Sequence, residues 1–249
     1  GILWNATKVR QMADNEYAEE LPKVCFRGFD DIRNVPGNEL IEELASSYSR
    51  AGLDDTIVIT RSNKLAIRYN NGIRNMVLGN EDELCSGDRL MIVKNNYYWT
   101  EKEKLPLPFI ANGDRVKVER VRNIRELYGF RFADVTMSFP DYDNIELTAT
   151  VNLNTLRSEA PALTREESEQ LYNKVMEDYQ HIPLKADRLK ALRQDIYYNA
   201  LQVKYAYAVT CHKAQGGQWS HVYVDQGYMT DDMLTPDYLH WLYTAFTRA

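Results

Sequence analysis

Residues 210–219 read TCHKAQGGQW and combine residue types that can bind a phosphate. Thr210 and His212 can donate hydrogen bonds to phosphate oxygens, and the adjacent Gly216 and Gly217 let backbone amides approach an anion closely. Apolar runs on both sides predict two buried strands, which would place this turn at the carboxyl edge of a parallel sheet, where α/β proteins bind ligands. An anion-binding turn and an ordinary glycine-rich turn with a polar rim both fit this pattern.

Arg248 is a second candidate, in the terminal segment LYTAFTRA at residues 242–249. Pro236 is a favoured first-turn residue, so a helix is predicted from that position onward. The planar fork of arginine suits the equatorial oxygens of a phosphoryl group. A single arginine on a helix is also commonly solvated or ion-paired, so both interpretations stay open. The helical pattern shows no stop signal, and we expect the chain to be part of a longer protein.

The elements around these segments alternate as in an α/β domain. After a break at residues 36–37, Asn38 is predicted to cap a helix that runs to about Arg50. The continuous apolar run at residues 57–59 predicts a strand buried on both faces, as in a parallel sheet. Further elements predicted in this part of the chain are helices near residues 7–20 and 63–77, a strand over 203–210 and a buried strand over 221–225.

From Cys85 the pattern changes to short strands separated by turn residues, which predicts a small antiparallel barrel. Its predicted strands cover residues 89–94, 115–121, 130–138 and 144–151. Helices are predicted over 164–179 and 184–195, the first opened by a capping box of Thr164 and Glu167.

The predicted fold class is therefore α/β, with a parallel-sheet domain that carries an inserted antiparallel barrel and a helical extension. The discontinuous α/β domain comprises residues 1–84 and 203–249, and the insertion comprises residues 85–202. Tyr97, Tyr98 and Trp99 form an aromatic cluster in the insertion. These rings could stack on nucleic-acid bases or form barrel core, whereas Trp219 is predicted to pack in the core of the α/β domain.

Charge and composition limit the classes of function. The chain carries 30 basic and 36 acidic residues, a formal net charge of −6. Because proteins that wrap nucleic acid through bulk charge are basic, any such contact here must come from a local surface. The three cysteines and four histidines are scattered, which favours reduced thiols in a cytoplasmic protein over disulfides or a zinc site. We expect no membrane partner and no secretion, since no apolar run of about 18 residues and no signal-peptide pattern is present.

The two C-terminal segments resemble motifs V and VI of superfamily 1 helicases. Their form is similar to that of the UvrD-like C-terminal domain in RecD-like, superfamily 1B enzymes. VITRSNKLA at residues 58–66 is similar to motif IV, and GILWNATKVR at residues 1–10 resembles the segment after motif III. GDRLMIVKNNYY at residues 87–98 looks like the start of the barrel, domain 2B, that such helicases insert into their second RecA-like domain, 2A. The resemblance implies a RecA-like 2A domain with an inserted 2B barrel.

The resemblance also implies roles for single residues. Arg248 matches the motif VI arginine that reaches the γ-phosphate, and Arg61 lies where motif IV places a second phosphate-contacting arginine. Solvated positions for Arg61 and Lys213 remain alternatives. The residues implied to face the nucleotide are Gly216, Gln218 and Gln215, the last also coupling the nucleotide side to the DNA side. The residues implied to contact single-stranded DNA are Thr210, His212, Lys213 and Asn63.

By the same resemblance, the full-length enzyme uses ATP and Mg²⁺, held mainly by an N-terminal RecA-like domain. That domain supplies the loop GxxxxGK[ST], which this sequence lacks, so we expect the chain not to hydrolyse ATP by itself. The implied partners are single-stranded DNA, with RNA as a variant, and the N-terminal RecA-like domain of the same protein. Two alternatives stay open, a non-catalytic module that binds single-stranded nucleic acid and the motor part of a nuclease or relaxase complex.

Overall fold

In a computed structural model that describes residues 1–15 and 20–249, the chain folds into two units. The sheet unit comprises Gly1–Glu81 and Tyr207–Ala249, and the barrel unit comprises Asp82–Ala206. The second unit therefore interrupts the first in sequence. The predicted mixture of a parallel sheet and a small barrel is confirmed, since the described residues form a parallel sheet and a closed five-stranded barrel.

Three parallel strands form the sheet among the described residues, in the order β7 (Ala208–Thr210), β1 (Thr56–Thr60) and β8 (His221–Asp225). All five residues of β1 are buried, which confirms the buried strand predicted around residues 57–59. β8 is only half-buried, so the prediction of a buried strand there is wrong. One side of β8 pairs with β1, and no described strand covers its other side, so β8 lines a cavity of about 730 Å³ within this unit.

Four helices of the described residues surround the sheet. They are α1 (Ile2–Ala13), α2 (Leu40–Ala51), α3 (Asn63–Gly72), which continues as a π-helical turn over Ile73–Val77, and α7 (Pro236–Phe246). Side chains cap two of them, because Ser62 Oγ accepts a hydrogen bond from Leu65 N at 3.2 Å and Thr235 Oγ1 accepts one from Tyr238 N at 3.2 Å. α7 packs on α1 and contacts β8, which fixes the C-terminal helix to the sheet.

Two predicted helix ends differ from the structure. The predicted Asn38 cap is wrong, because α2 begins after Glu39 and no side chain caps it. Glu39 N instead donates to Pro36 O at 3.0 Å, so a turn precedes the helix and moves its start. Of the helix predicted near residues 7–20, α1 covers the first part and ends at Ala13, while residues 16–19 lie outside the described residues.

Asn70 joins α3 to the edge strand β7 through both groups of its amide. Its Nδ2 donates to Ala208 O at 2.9 Å, and its Oδ1 accepts from Ala208 N at 2.8 Å. The side chain is 4% exposed. We expect Asn70→Ala to lower the free energy of unfolding by about 2–4 kcal/mol, because two buried backbone groups lose their partners. Urea denaturation checks this beside Asn71→Ala, an exposed control; equal midpoints for the two variants would contradict it.

The barrel unit contains five described strands in one closed ring. They are β2 (Arg89–Ile92), β3 (Arg115–Leu127), β4 (Phe130–Phe139), β5 (Ile145–Asn152) and β6 (Leu201–Tyr205). The four predicted strands are confirmed, and β6 closes the ring by pairing antiparallel with β2 and parallel with β5. The single strand predicted over residues 203–210 is wrong, because the chain breaks there into β6 of the barrel and β7 of the sheet. A continuous apolar run does not reveal that its two halves belong to different sheets.

A pair of helices covers one part of the barrel. They are α5 (Arg165–Asp178) and α6 (Lys185–Arg193), and the short α4 (Tyr98–Lys102) lies earlier in the chain. The predicted capping box is confirmed, since Thr164 Oγ1 accepts from Glu167 N at 3.2 Å and Glu167 Oε2 accepts from Thr164 N at 2.8 Å. The buried residues shared by the barrel and the helix pair are Phe130, Phe132, Leu171, Val175, Leu192 and Ala200. This second core explains why the insertion is longer than a minimal barrel.

Candidate functional site

Residues 211–220, called here the crossover segment, connect the carboxyl end of β7 to the amino end of β8. These strands flank β1 and run parallel to it, so the segment travels from one edge of the sheet to the other. Cys211 N donates to Thr60 O at the end of β1 (3.3 Å), and His221 N donates to Asp55 O before its start (3.1 Å). Because a five-residue strand is about 16 Å long, the two edges are well separated. The prediction of a turn at the carboxyl edge therefore holds only for the first half of the segment.

The four residues predicted to contact DNA lie together at the carboxyl edge. Thr210 ends β7 and pairs in register with Thr60, and Asn63 opens α3 directly after β1. The His212 side chain is exposed and has no hydrogen-bond or ion-pair partner among the described residues. Lys213 is half-buried, and burial lowers the pKa of its amino group. A hydroxyl, an imidazole, an ammonium and an amide thus gather where a phosphate chain could receive several hydrogen bonds.

Arg61 stands at the same edge, because it follows the last residue of β1. Its guanidinium lies 5.2 Å from the ring centre of Tyr238 and contacts Met229 Sδ. The aromatic contact orients the group without neutralising its charge. Arg61 is exposed and forms no ion pair with a carboxylate of the described residues, so its charge can serve an anion.

The second half of the crossover segment approaches the amino edge of the sheet. Gly216 has a φ of 84°, which favours glycine. A Cβ added at Gly217 would lie 2.3 Å from the Trp219 ring, so only glycine fits over that side chain. Trp219 is 5% exposed, which confirms its predicted place in the core. Gln215 and Gln218 are exposed on either side of these glycines, free to face a ligand.

Arg248 follows α7 and meets this second half of the crossover segment. Its Nε donates to Thr244 O at 3.2 Å, its Nη1 donates to Gly217 O at 3.3 Å, and its Nη2 donates to Thr247 Oγ1 at 3.4 Å. Trp219 N donates to Arg248 O at 2.9 Å, which ties the backbone as well. The three atoms that accept hydrogen bonds from the Arg248 side chain are all neutral. No described carboxylate pairs with the guanidinium. The group is therefore held in place while its positive charge remains uncompensated.

The two arginines predicted to contact phosphate are not brought together by this structure. Arg61 stacks on Tyr238 in the first turn of α7, whereas Arg248 lies beyond its last turn. A helix of 11 residues is about 16 Å long. Arg61 thus joins the residues predicted for DNA, and Arg248 joins those predicted for the nucleotide.

The aromatic cluster of the barrel unit divides into packed and exposed rings. Trp99 is 3% exposed and its Nε1 donates to Asn199 O at 2.9 Å, which confirms the core interpretation for this residue. Tyr98 OH donates to Gln194 O at 2.9 Å. Tyr97 is exposed and Tyr98 is half-buried, so Tyr97 is the most solvent-exposed of the three.

Sequence reasoning missed the groups that position Arg248. The Thr244 carbonyl lies in the last turn of α7, where carbonyls lack helical partners and commonly accept from a following arginine, so the sequence could have indicated this contact. The Gly217 carbonyl had no such signal, because its approach depends on the path of the crossover segment.

Metal-binding residue types do not gather near these groups. Within residues 1–15 and 20–249, no three or more His, Cys, Asp or Glu side chains are placed to hold a metal ion. In the same residues, every helix is too short or too polar to cross a membrane. Cys211, at the start of the crossover segment, is buried, and burial raises the pKa of its thiol.

A comparison with protein families finds that residues 205–249 match the UvrD-like helicase C-terminal domain. The matched part contains β7, the crossover segment, β8 and α7, and so it includes both Thr210 and Arg248. A search of curated proteins found no significant match. The resemblance of motifs V and VI to a UvrD-like helicase C-terminal region is therefore confirmed for this part of the chain.

Proposed function

We propose that the chain is the second motor domain of an ATP-dependent DNA helicase, which couples ATP hydrolysis to translocation on single-stranded DNA. The observation that carries the proposal is the crossover segment. This element of a UvrD-like helicase region starts beside a cluster of side chains that can donate hydrogen bonds to phosphate. Further along, its Gly217 carbonyl accepts a hydrogen bond from Arg248, which has no ion-pair partner among the described residues. A segment in that position can transmit a change at one site to the other.

The two units receive the roles of the helicase subdomains in this proposal. The sheet unit, Gly1–Glu81 and Tyr207–Ala249, is the RecA-like domain 2A, and the barrel unit, Asp82–Ala206, is the inserted domain 2B. The parallel sheet and the closed barrel support the assignment. The full-length protein is of the RecD-like, superfamily 1B kind. The form of motifs V and VI supports this assignment.

Arg248 acts on the nucleotide side. ATP and Mg²⁺ supply the phosphoryl chemistry and are held mainly by the N-terminal RecA-like domain of the same protein. The Arg248 guanidinium stabilises the charge that spreads over the transferred phosphoryl oxygens, as an arginine finger does. Gly216 and Gln218 lie on the same half of the crossover segment and face the nucleotide, and Gln215 lies between the two halves.

The strand side consists of Thr210, His212, Lys213 and Asn63. We add Arg61 to them, instead of the nucleotide-side role that the resemblance implies, because it follows β1 at the same edge of the sheet. These groups contact the sugar-phosphate backbone, which gives binding without sequence preference. Domain closure shifts the crossover segment and so changes the contacts between these residues and the sugar-phosphate backbone.

The test is ATP turnover with and without single-stranded DNA, measured for the full-length protein and for this chain alone. We expect turnover and stimulation in the full-length protein and neither in the chain. If the full-length protein has no turnover, the motor proposal fails, and a non-catalytic module that binds single-stranded nucleic acid becomes the better description. Repeating the measurement with single-stranded RNA determines which nucleic acid stimulates the motor.

A further inference from the structure

Tyr97 and Phe109 form an aromatic pair at the surface of the barrel unit. Their ring centres are 5.0 Å apart and their planes are inclined by 30°. Tyr97 is 55% exposed and Phe109 is half-buried, and the Tyr97 hydroxyl has no hydrogen-bond partner among the described residues. The neighbouring Trp99 and Tyr98 are anchored by hydrogen bonds, so packing of the barrel accounts for them and leaves the surface pair unexplained.

The backbone under this pair is rigid. Asn96 N donates to Ile110 O at 2.9 Å, and Ile110 N donates to Asn96 O at 2.8 Å. Asn96 Nδ2 also donates to Asn199 O at 2.9 Å, and Ile110 is fully buried. Both residues that adjoin the aromatic pair are thus fixed, and the Tyr97 ring is held packed against the Phe109 ring before any ligand arrives.

The charges that lie close to the pair in sequence favour an anionic partner. Lys94 and Lys104 are exposed and have no ion-pair or hydrogen-bond partner among the described residues. The ammonium of Lys102 lies 4.6 Å from the ring centre of Trp99. Glu101 and Glu103 offset two of these three charges, so the segment keeps an excess of one positive charge.

We propose that Tyr97 and Phe109 form a stacking platform for bases of a single nucleic-acid strand, with Lys94 and Lys104 near its phosphates. The platform rests on the proposed strand-binding function and adds a second region of contact with the strand, on the barrel unit. A preformed aromatic surface beside free ammonium groups is how single strands are held without reading their sequence.

The experiment measures binding of the 249-residue chain to a fluorescent single-stranded dT oligonucleotide and to an abasic oligonucleotide of the same length. Both carry the same phosphates, so the difference in Kd reports stacking on bases. We expect about tenfold tighter binding of dT by the unaltered chain. Tyr97→Ala should lose most of this preference. Tyr97→Trp should keep it, and dT should quench the fluorescence of the introduced indole ring.

Tyr198→Ala is the matched control, because it removes another exposed tyrosine ring of the same unit. It should keep the preference for dT. If Tyr97→Ala also keeps it, the platform is wrong. If in addition substitution of His212 and Lys213 weakens binding, strand binding by the sheet unit stands and only the platform falls. If the unaltered chain binds neither oligonucleotide, both the platform and the proposed function fail.

Discussion

Arg248→Ala is expected to lower single-strand-stimulated ATP turnover of the full-length protein by about a thousandfold or more, while single-strand binding stays within a few-fold. The guanidinium is held by carbonyl and hydroxyl acceptors, and no described carboxylate neutralises it. Removing it takes away a preorganised positive charge but leaves Thr210, His212 and Lys213 in place, since the Arg248 guanidinium donates to none of them. Steady-state turnover and fluorescence anisotropy with labelled single-stranded DNA measure the two effects.

Two further variants sharpen this experiment. Arg248→Lys keeps the charge but loses the planar fork, so we expect it to recover only a small part of the turnover. Arg68→Ala removes an exposed arginine of α3 in the same unit and should leave turnover unchanged. Turnover that survives Arg248→Ala would rule out the arginine-finger role.

The double substitution His212→Ala with Lys213→Ala is expected to weaken single-strand binding by about ten- to a hundredfold at moderate salt. The half-buried Lys213 ammonium is partly desolvated, so it gains more from a phosphate than an exposed lysine does. Loss of one cationic contact should reduce the slope of log K against log salt by about 0.7. Salt titrations followed by anisotropy measure both quantities.

His181→Ala with Lys185→Ala is the control for this experiment. The pair has the same composition, is exposed, and belongs neither to the crossover segment nor to the pair Tyr97 and Phe109. It should change neither the affinity nor the salt slope. Equal affinities for the two double variants would remove the crossover segment from the strand side.

Local patterns account for much of the fold. The apolar run at residues 57–59, the capping box at Thr164 and the first four barrel strands each depend on neighbouring residues, and each was predictable. The division of residues 201–210 between two sheets was not, because both halves are apolar and their partners are far away in sequence. The half-exposure of β8 likewise depends on which strands surround it.

In the candidate site, too, sequence predicts the features that neighbouring residues determine but not those that depend on distant contacts. Thr210, His212 and Lys213 are close in sequence, so their shared edge follows from a single turn. Whether Arg61 and Arg248 meet depends on the direction of α7 relative to the sheet, which no local pattern contains. Asn70 shows the same limit, since its amide serves a strand 138 residues away.

A strand that lacks a neighbour on one side leaves N–H and C=O groups ready to pair with another chain. β8 is such a strand among the described residues, and the cavity beside it adds apolar side chains such as Val222, Val224 and Phe246. By contrast, every strand of the closed barrel pairs on both sides. The sequence of β8, HVYVD, contains neither the lysine nor the proline that commonly protects an edge. Self-association of the isolated chain should therefore begin at β8 and grow with concentration, which favours dilute solutions for every binding measurement.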